Sequence, residues 1–186
     1  MSFTTDWVKN NIRNWTAWLK DVAGKPGMLG VEIGTYEGQS ACWFLRNVLT
    51  APGSMLFCVD IAMPPVLKDN LEEAGVLSRV IPHQCRSAVF WARLVPVQVD
   101  FIYIDGGHGA KDVLEDSVSA WAALRPGGVI IWDDYLLPPD AGRPSWDCPK
   151  PSIDSFLATY QGEYDLLEPA DSDPNPGWQK AVRKKL

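Results

Sequence analysis

A chain of 186 residues, 46% hydrophobic and 22% charged, is long enough to bury a core as one domain and too apolar to stay disordered. Its net charge of −6 argues against nucleic acid as a partner, because a phosphate backbone asks for a concentrated basic face. The one dense basic run, Arg183-Lys184-Lys185, reads as a solvated strand end. Cys42, Cys58, Cys85 and Cys148 are scattered without a C-x-x-C pair, which fits reduced thiols and neither a zinc knuckle nor a disulfide framework. Asp6, Lys9, Arg13, Lys20 and Asp21 interrupt the first 25 residues, so no leader peptide is expected, and no apolar run reaches bilayer length. The expectation is a single cytoplasmic domain over 1–186 with no membrane partner.

In chain order, Val8, Ile12, Trp15, Leu19 and Val22 recur at helical spacing and predict an amphipathic helix over about 5–22, ended by Gly24 and Pro26. Short apolar runs then alternate with helical stretches. The runs are Met28–Ile33, Met55–Ile61, Arg79–Pro82, Val99–Ile104 and Val129–Trp132; the helices fall near 39–49, 65–74, 87–94, 110–124 and 152–160. Runs apolar at consecutive positions suit strands covered on both faces. Their alternation with helices means β-α-β units, parallel pairing and an α/β doubly wound sheet. Glu163–Leu167 and Trp178–Lys184 have no helix between them, only a Pro/Asp/Asn/Gly-rich connection, and predict a closing antiparallel pair. Leu136–Pro151, with five prolines in sixteen residues, follows a strand end and reads either as an acceptor-facing lid or as an inert connection. Nine tryptophans leave several outside the core, where a flat ligand could use them.

Val31-Glu32-Ile33-Gly34-Thr35-Tyr36-Glu37-Gly38-Gln39-Ser40 leaves the first strand and opens the first helix. Glycines let the backbone turn sharply there, and helix-start N–H groups favour an anion. The spacing is not G-x-G-x-x-G, so the dinucleotide fingerprint is not met. Asp60 ends the next strand, where an acid can accept hydrogen bonds from the ribose hydroxyls of an adenosyl group, or simply serve a turn. Asp105, Asp133 and Asp134 lie at further strand ends on the same edge. Converging carboxylates repel unless protonated or bridged by a cation, and an all-oxygen set would suit Mg²⁺ or Ca²⁺. The alternative is structural, with Asp133 and Asp134 in a turn and Asp105 touching the cofactor. His108, three residues beyond Asp105, is placed either to take a proton or to orient an acceptor. His83, without polar company in the sequence, reads as structural.

The run Glu32-x-Gly34-x-Tyr36-x-Gly38-x-Ser40 resembles the first motif of the catechol O-methyltransferase-like class I methyltransferases. Asp105-Gly106-Gly107-His108, Leu124-Arg125-Pro126-Gly127-Gly128-Val129 and Asp133-Asp134 resemble a related group of small bacterial methyltransferases; the resemblance spans roughly 28–135. It implies a Rossmann-like seven-stranded sheet of order 3-2-1-4-5-7-6 with helices on both faces, and S-adenosylmethionine as cofactor. Glu32 and Ser40 would then hold the methionine amine and carboxylate, with Gly34, Thr35, Tyr36 and Gly38 lining that end. Asp60 would bind ribose, Ser87 would sit by the adenine, and Asp105, Asp133 and Asp134 would hold magnesium. Asp134 stands where the catechol-type family usually has an amide, and Ala88 where a polar residue is usual beside the adenine. The activity implied is O-methylation of a small-molecule hydroxyl with His108 as base. The N-terminal helix (Trp7, Trp15, Trp18) and the loop bearing Trp146 would cover the acceptor. A homodimer is compatible with this reading. A nicotinamide-dependent oxidoreductase and a non-catalytic cofactor-binding module are the competing readings.

Overall fold

The computed structural model describes residues 1–94, 97–171 and 177–186. Much of the connection expected between the last two strands, 172–176, lies outside the described residues. Seven strands, β1 (Leu29–Ile33), β2 (Met55–Asp60), β3 (Val80–Gln84), β4 (Val99–Ile104), β5 (Leu124–Trp132), β6 (Tyr164–Leu166) and β7 (Lys180–Lys184), form one sheet in the order β3-β2-β1-β4-β5-β7-β6. The pairs β1/β2, β1/β4, β2/β3 and β4/β5 are parallel, and β7 runs antiparallel to both β5 and β6. The expected strand order and closing hairpin are therefore both present.

Period-two alternation sorts the sheet's side chains onto two cores. Phe101, Tyr103, Val129 and Ile131 join the core under α1 (Ile12–Trp18), α2 (Gln39–Asn47) and α3 (Pro65–Glu73). Val31, Ile33, Ile102, Ile104, Ile130 and Trp132 join the other, under α4 (Ser87–Leu94), α5 (Ala110–Ala123) and α6 (Pro149–Thr159). Every residue of β4 is buried, and the one charged member, Asp100, is paired with Arg125 at 2.9 Å.

Two elements differ from the sequence expectation. The N-terminal helix is short: a 3-10 turn at Val8–Asn10 precedes α1, which has only seven residues. Asparagines, whose side chains compete for backbone hydrogen bonds, stand at the break. Asn11 ends the turn and opens α1 at φ −99°, and the Asn14 side chain accepts from the Ala170 N–H at 2.8 Å. Strand β5 begins at Leu124, not Val129, because Leu124 pairs with Val99 before a shift in register carries Phe101 onto Val129. The Arg-Pro-Gly-Gly run is absorbed by that irregularity, with Gly127 at φ +82°. Among the described residues no helix is long and apolar enough to cross a membrane, and the four cysteines are free.

Candidate active site

The carboxyl ends of β1, β2, β4 and β5 meet at one edge, where open α/β sheets bind ligands at the reversal of strand order. Backbone bonds bring them level: Gly34 N–H to Val59 O (2.8 Å), Asp105 N–H to Ile33 O (2.8 Å) and Asp133 N–H to Ile104 O (3.0 Å). Gly34 has φ +89°, and a Cβ there would lie 1.9 Å from the Asp105 carbonyl oxygen, so a side chain is excluded on both counts. A cavity of about 1130 Å³ opens along this edge, above the usual range for one small ligand and thus roomy enough for two.

Of the residues expected at a cofactor, Gly34, Thr35, Tyr36, Ser40, Asp60, Ser87 and Asp105 line this cavity. The Asp60 carboxylate is oriented from both sides, Oδ2 accepting from the Tyr36 N–H at 2.8 Å and Oδ1 from the Ala62 N–H at 3.0 Å. Tyr36 takes φ 47° to make that turn. Ser87 opens α4 and its hydroxyl bonds Asp116, whose carboxyl is raised by burial against the counter-effect of Ser87 and Trp91.

Gly38 and Glu32 stand back from the cavity wall. Gly38, at φ +81°, instead admits the Leu67 side chain, which a Cβ would meet at 2.5 Å. Glu32 is wholly buried, and its Oε1 has no hydrogen-bond partner, nor does the buried Thr35 hydroxyl. Burial raises the Glu32 carboxyl from 4.5 to about 7, with the Ser40 hydroxyl the largest effect opposing the rise. Glu32 is thus a buried, half-satisfied carboxyl just behind Ser40 and Thr35.

The other half of the cavity is lined by Asp105, His108, Asp133, Asp134, Tyr103 and Leu137, with Trp7, Asn11, Trp15 and Trp178 closing it. The two adjacent aspartates point in different directions. Asp134 sits at φ 56°, a left-handed conformation costing a non-glycine residue roughly 1–3 kcal/mol. It pairs with His108 at 3.0 Å, Oδ2 to Nε2. Asp133 faces Tyr103 instead, its Oδ2 accepting a short hydrogen bond from the phenol. It also accepts from Asn11 Nδ2 at 3.4 Å and from the Asp134 N–H at 2.9 Å. The Tyr103 oxygen lies 3.2 Å from Asp105 Oδ2 as well.

Burial, then Asp133 and Asp134, push the Asp105 carboxyl well up, and burial and Asp134 push Asp133 up. Burial beside these acids pushes the Tyr103 phenol well up, so it stays a neutral donor. The hydrogen bond to Asp134 raises His108 against its own burial.

The candidate ligand atoms that gather within 4.8 Å of one another among the described residues belong to Asp105, His108 and Asp134. Of the expected set, Asp105 and Asp134 thus gather with His108, while the Asp133 carboxylate, also lining the cavity, is hydrogen-bonded to Tyr103. A mixed nitrogen and oxygen set suits first-row transition ions better than Mg²⁺ or Ca²⁺.

Other expectations resolve plainly. His83 lies in β3 between Phe57 and Phe90, ring centroids 5.8 and 5.1 Å away, away from the cavity. Trp7 and Trp15 line the cavity, but Trp18 is core and donates to Glu168 O at 2.7 Å. Trp146 is 63% exposed and does not line the cavity; Leu137 is what the Pro-rich loop contributes, because Pro149 and Pro151 fall in the first turn of α6.

Tyr103, Asn11 and Trp178 are site residues that sequence reasoning passed over. Tyr103 had a signal, standing two places before Asp105 and so on the same face of β4.

A methyltransferase-domain family model matches residues 31–135, the stretch that supplies most of the cavity. The chain is 27% identical over 124 residues to the uncharacterized protein R132 of Acanthamoeba polyphaga mimivirus, 63% of this chain and 56% of that protein, so it spans just over half of that relative's length. Among solved structures it is similar to the O-methyltransferase TomG of Streptomyces achromogenes, involved in tomaymycin synthesis and solved with S-adenosylmethionine: 19% identity over 98% of this chain and 82% of TomG, TM-score 0.70. An O-methyltransferase of Bacillus cereus, solved with S-adenosylhomocysteine, gives 19% over 99% and 84% at 0.70. A putative rRNA methylase of Clostridium thermocellum gives 13% over 99% of both chains at 0.72. With its sheet order, its glycine turn and the matched residues in agreement, the chain belongs to the methyltransferase-domain family and is built on the class I methyltransferase fold.

Proposed function

We propose that this protein is an S-adenosylmethionine-dependent methyltransferase acting on a hydroxyl of a small molecule. The observation that carries the proposal is one continuous cavity with Gly34, Asp60 and Ser87 along one half and Asp105, His108 and Asp134 along the other. The residues fit the cofactor: a buried carboxylate with an unpartnered oxygen stands behind Ser40 and Thr35, and Asp60 is held ready for ribose by two backbone N–H groups. Ser87 and the apolar Val59 and Ile61 suit the adenine. When bound, the cofactor supplies the methyl group from its sulfonium.

The chain's own part is placement and proton transfer. Trp7, Trp15 and Trp178 shield the acceptor end from water. The Nε2–H of His108 donates to Asp134, which fixes the ring and leaves Nδ1 to take the hydroxyl proton as the oxygen becomes nucleophilic. Alignment of two reactants in one cavity contributes roughly 7–11 kcal/mol of barrier reduction. The acidic lining supports a small molecule over RNA as acceptor, since Arg86 and Lys111 are the only lysine or arginine among the described lining residues.

Asp60→Ala tests the cofactor assignment. Calorimetry with S-adenosylhomocysteine is expected to give at least a hundredfold loss of affinity, about 2.7 kcal/mol; unchanged affinity removes the ribose assignment.

A second reading is favoured by the closeness of the Asp105, His108 and Asp134 ligand atoms. A divalent ion there would acidify the hydroxyl directly and occupy the His108 nitrogen. Exhaustive chelation separates the two: the histidine-base reading expects turnover to stay within twofold, whereas loss restored by added Mn²⁺ supports the ion.

A further inference from the structure

Residues 2–7 belong to no strand or helix, yet they help to wall the cavity. Thr4 meets the glycine turn, its N–H and hydroxyl donating to Glu37 Oε2 at 2.8 and 3.2 Å. Asn11 meets the far side, its Nδ2 donating to Asp133 Oδ2 at 3.4 Å. Between these two ends Thr5, Trp7, Val8 and Asn10 line the cavity. The segment thus passes from the cofactor half to the acceptor half across the mouth.

Among the described residues no backbone–backbone hydrogen bond ties residues 2–7 to the rest of the molecule; side chains do. Asn70 of α3, 1% exposed, accepts from the Ser2 N–H at 2.7 Å and donates to the Ser2 carbonyl at 2.9 Å. Its amide also donates to the Glu37 carbonyl at 3.0 Å, fixing the peptide that carries the second tether. Asparagine is a poor helix former, and a buried amide is costly unless its polar atoms are satisfied. Here two of its three bonds go to the segment. Gln39 Nε2 adds a bond to Asp6 Oδ1 at 3.0 Å. Phe3 is only partly buried against the core, and firm packing begins at Val8. Bonds of this kind exchange for water at small net cost, so residues 2–7 can lift without opening the sheet or its helices.

We propose that Glu37 and Asn70 are positioning residues that latch residues 2–7 over the cavity as a cover, which lifts for the cofactor to enter and leave. The proposal rests on the cofactor occupying the glycine-turn half, and adds how its exchange is gated. Glu37 stands between Tyr36, whose N–H holds Asp60, and Gly38, so the latch is built into the turn that would carry the cofactor. Trp7 is carried by the same segment, so the acceptor end is walled only while the latch is closed.

The experiment uses the full chain as wild type, E37A, E37Q and N70A. Stopped-flow tryptophan fluorescence gives the association and dissociation rates of S-adenosylhomocysteine, and calorimetry gives its affinity. Chymotryptic cleavage after Phe3 and Trp7 reports how often the segment lifts. E37A and N70A are expected to be cleaved at least tenfold faster. Both should also speed association and dissociation at least tenfold, with affinity within threefold of wild type, because a cover changes access and not contacts. E37Q, whose amide oxygen can still accept from Thr4, should return every readout to within threefold of wild type. The proposal is overturned if only dissociation quickens, with a matching loss of affinity, since Glu37 would then be touching the ligand. Unchanged cleavage overturns it too, as does faster cleavage with neither rate altered. E37A decides the matter even if N70A does not fold. Failure of the wild type to bind S-adenosylhomocysteine would instead strike the proposed function, and cleavage would still decide whether Glu37 and Asn70 hold the segment.

Discussion

His108→Ala is expected to lower kcat by about 10²–10⁴, the usual contribution of a positioned proton acceptor, on any hydroxyl acceptor the wild type turns over. Affinity for S-adenosylhomocysteine should stay within twofold, because no cofactor-side residue depends on His108. The expectation comes from geometry: Nε2 lies 3.0 Å from Asp134 Oδ2, an arrangement that fixes the ring and raises its basicity. Asp134→Asn keeps the shape but removes the charge, so it should lose less, roughly tenfold to a hundredfold, mostly in kcat. Equal kcat in H108A and wild type would show that the proton leaves by another route. Losses confined to KM would mean that His108 only holds the acceptor.

Glu32→Gln is expected to change two properties in opposite directions. The folded carboxyl titrates near 7 against 4.5 when free of the fold. Between these values the folded chain keeps a proton that the unfolded chain releases, so stability falls as pH rises through the window and the full penalty applies above about 7. The interval corresponds to roughly 3 kcal/mol at most. Ligand-free E32Q should therefore be more stable than wild type at pH 8, with the difference vanishing near pH 5. Denaturant midpoints at the two pH values measure it, and a parallel course for both proteins would end the assignment.

Cofactor binding should move the other way. An ionised Glu32 behind Ser40 and Thr35 attracts the ammonium of the amino-acid moiety, so E32Q is expected to bind S-adenosylhomocysteine at least tenfold more weakly, about 1.4 kcal/mol. Wild-type affinity should rise with pH up to about 7 and then level, while that of E32Q should be flat over the same range. A site less stable when empty and tighter when filled is the expected signature of a group that serves binding, not packing.

The two halves of the cavity were unequally legible in the amino-acid sequence. The glycine turn and Asp60 could be located because backbone requirements are written in residue type: Gly34 must be glycine where its Cβ would strike the Asp105 carbonyl, and an acid closing a buried strand has few structural uses. The acceptor half could be placed at the correct edge but not assembled. Nothing in Asp133-Asp134 says which carboxylate meets His108 and which the Tyr103 phenol, since that depends on a left-handed φ at Asp134 and on a side chain thirty residues before Asp133. That Trp146 stands exposed, away from the cavity lining, was not legible for a related reason: proline content marks a stiff connection without saying which way its side chains face.

Hydrophobic period and chain order by themselves determined the parallel sheet, the buried central strand Val99–Ile104 and the antiparallel closure, because burial on one face or two leaves a direct imprint on residue spacing. Tertiary structure alone decided that Glu32 lies behind the cavity wall, that the N-terminal helix breaks at Asn11 to reach Asp133, and that His108 finds Asp134. Those are contacts between segments remote in sequence, fixed by hydrogen-bond donors competing for a few buried carboxylates, and no local pattern records which donor wins.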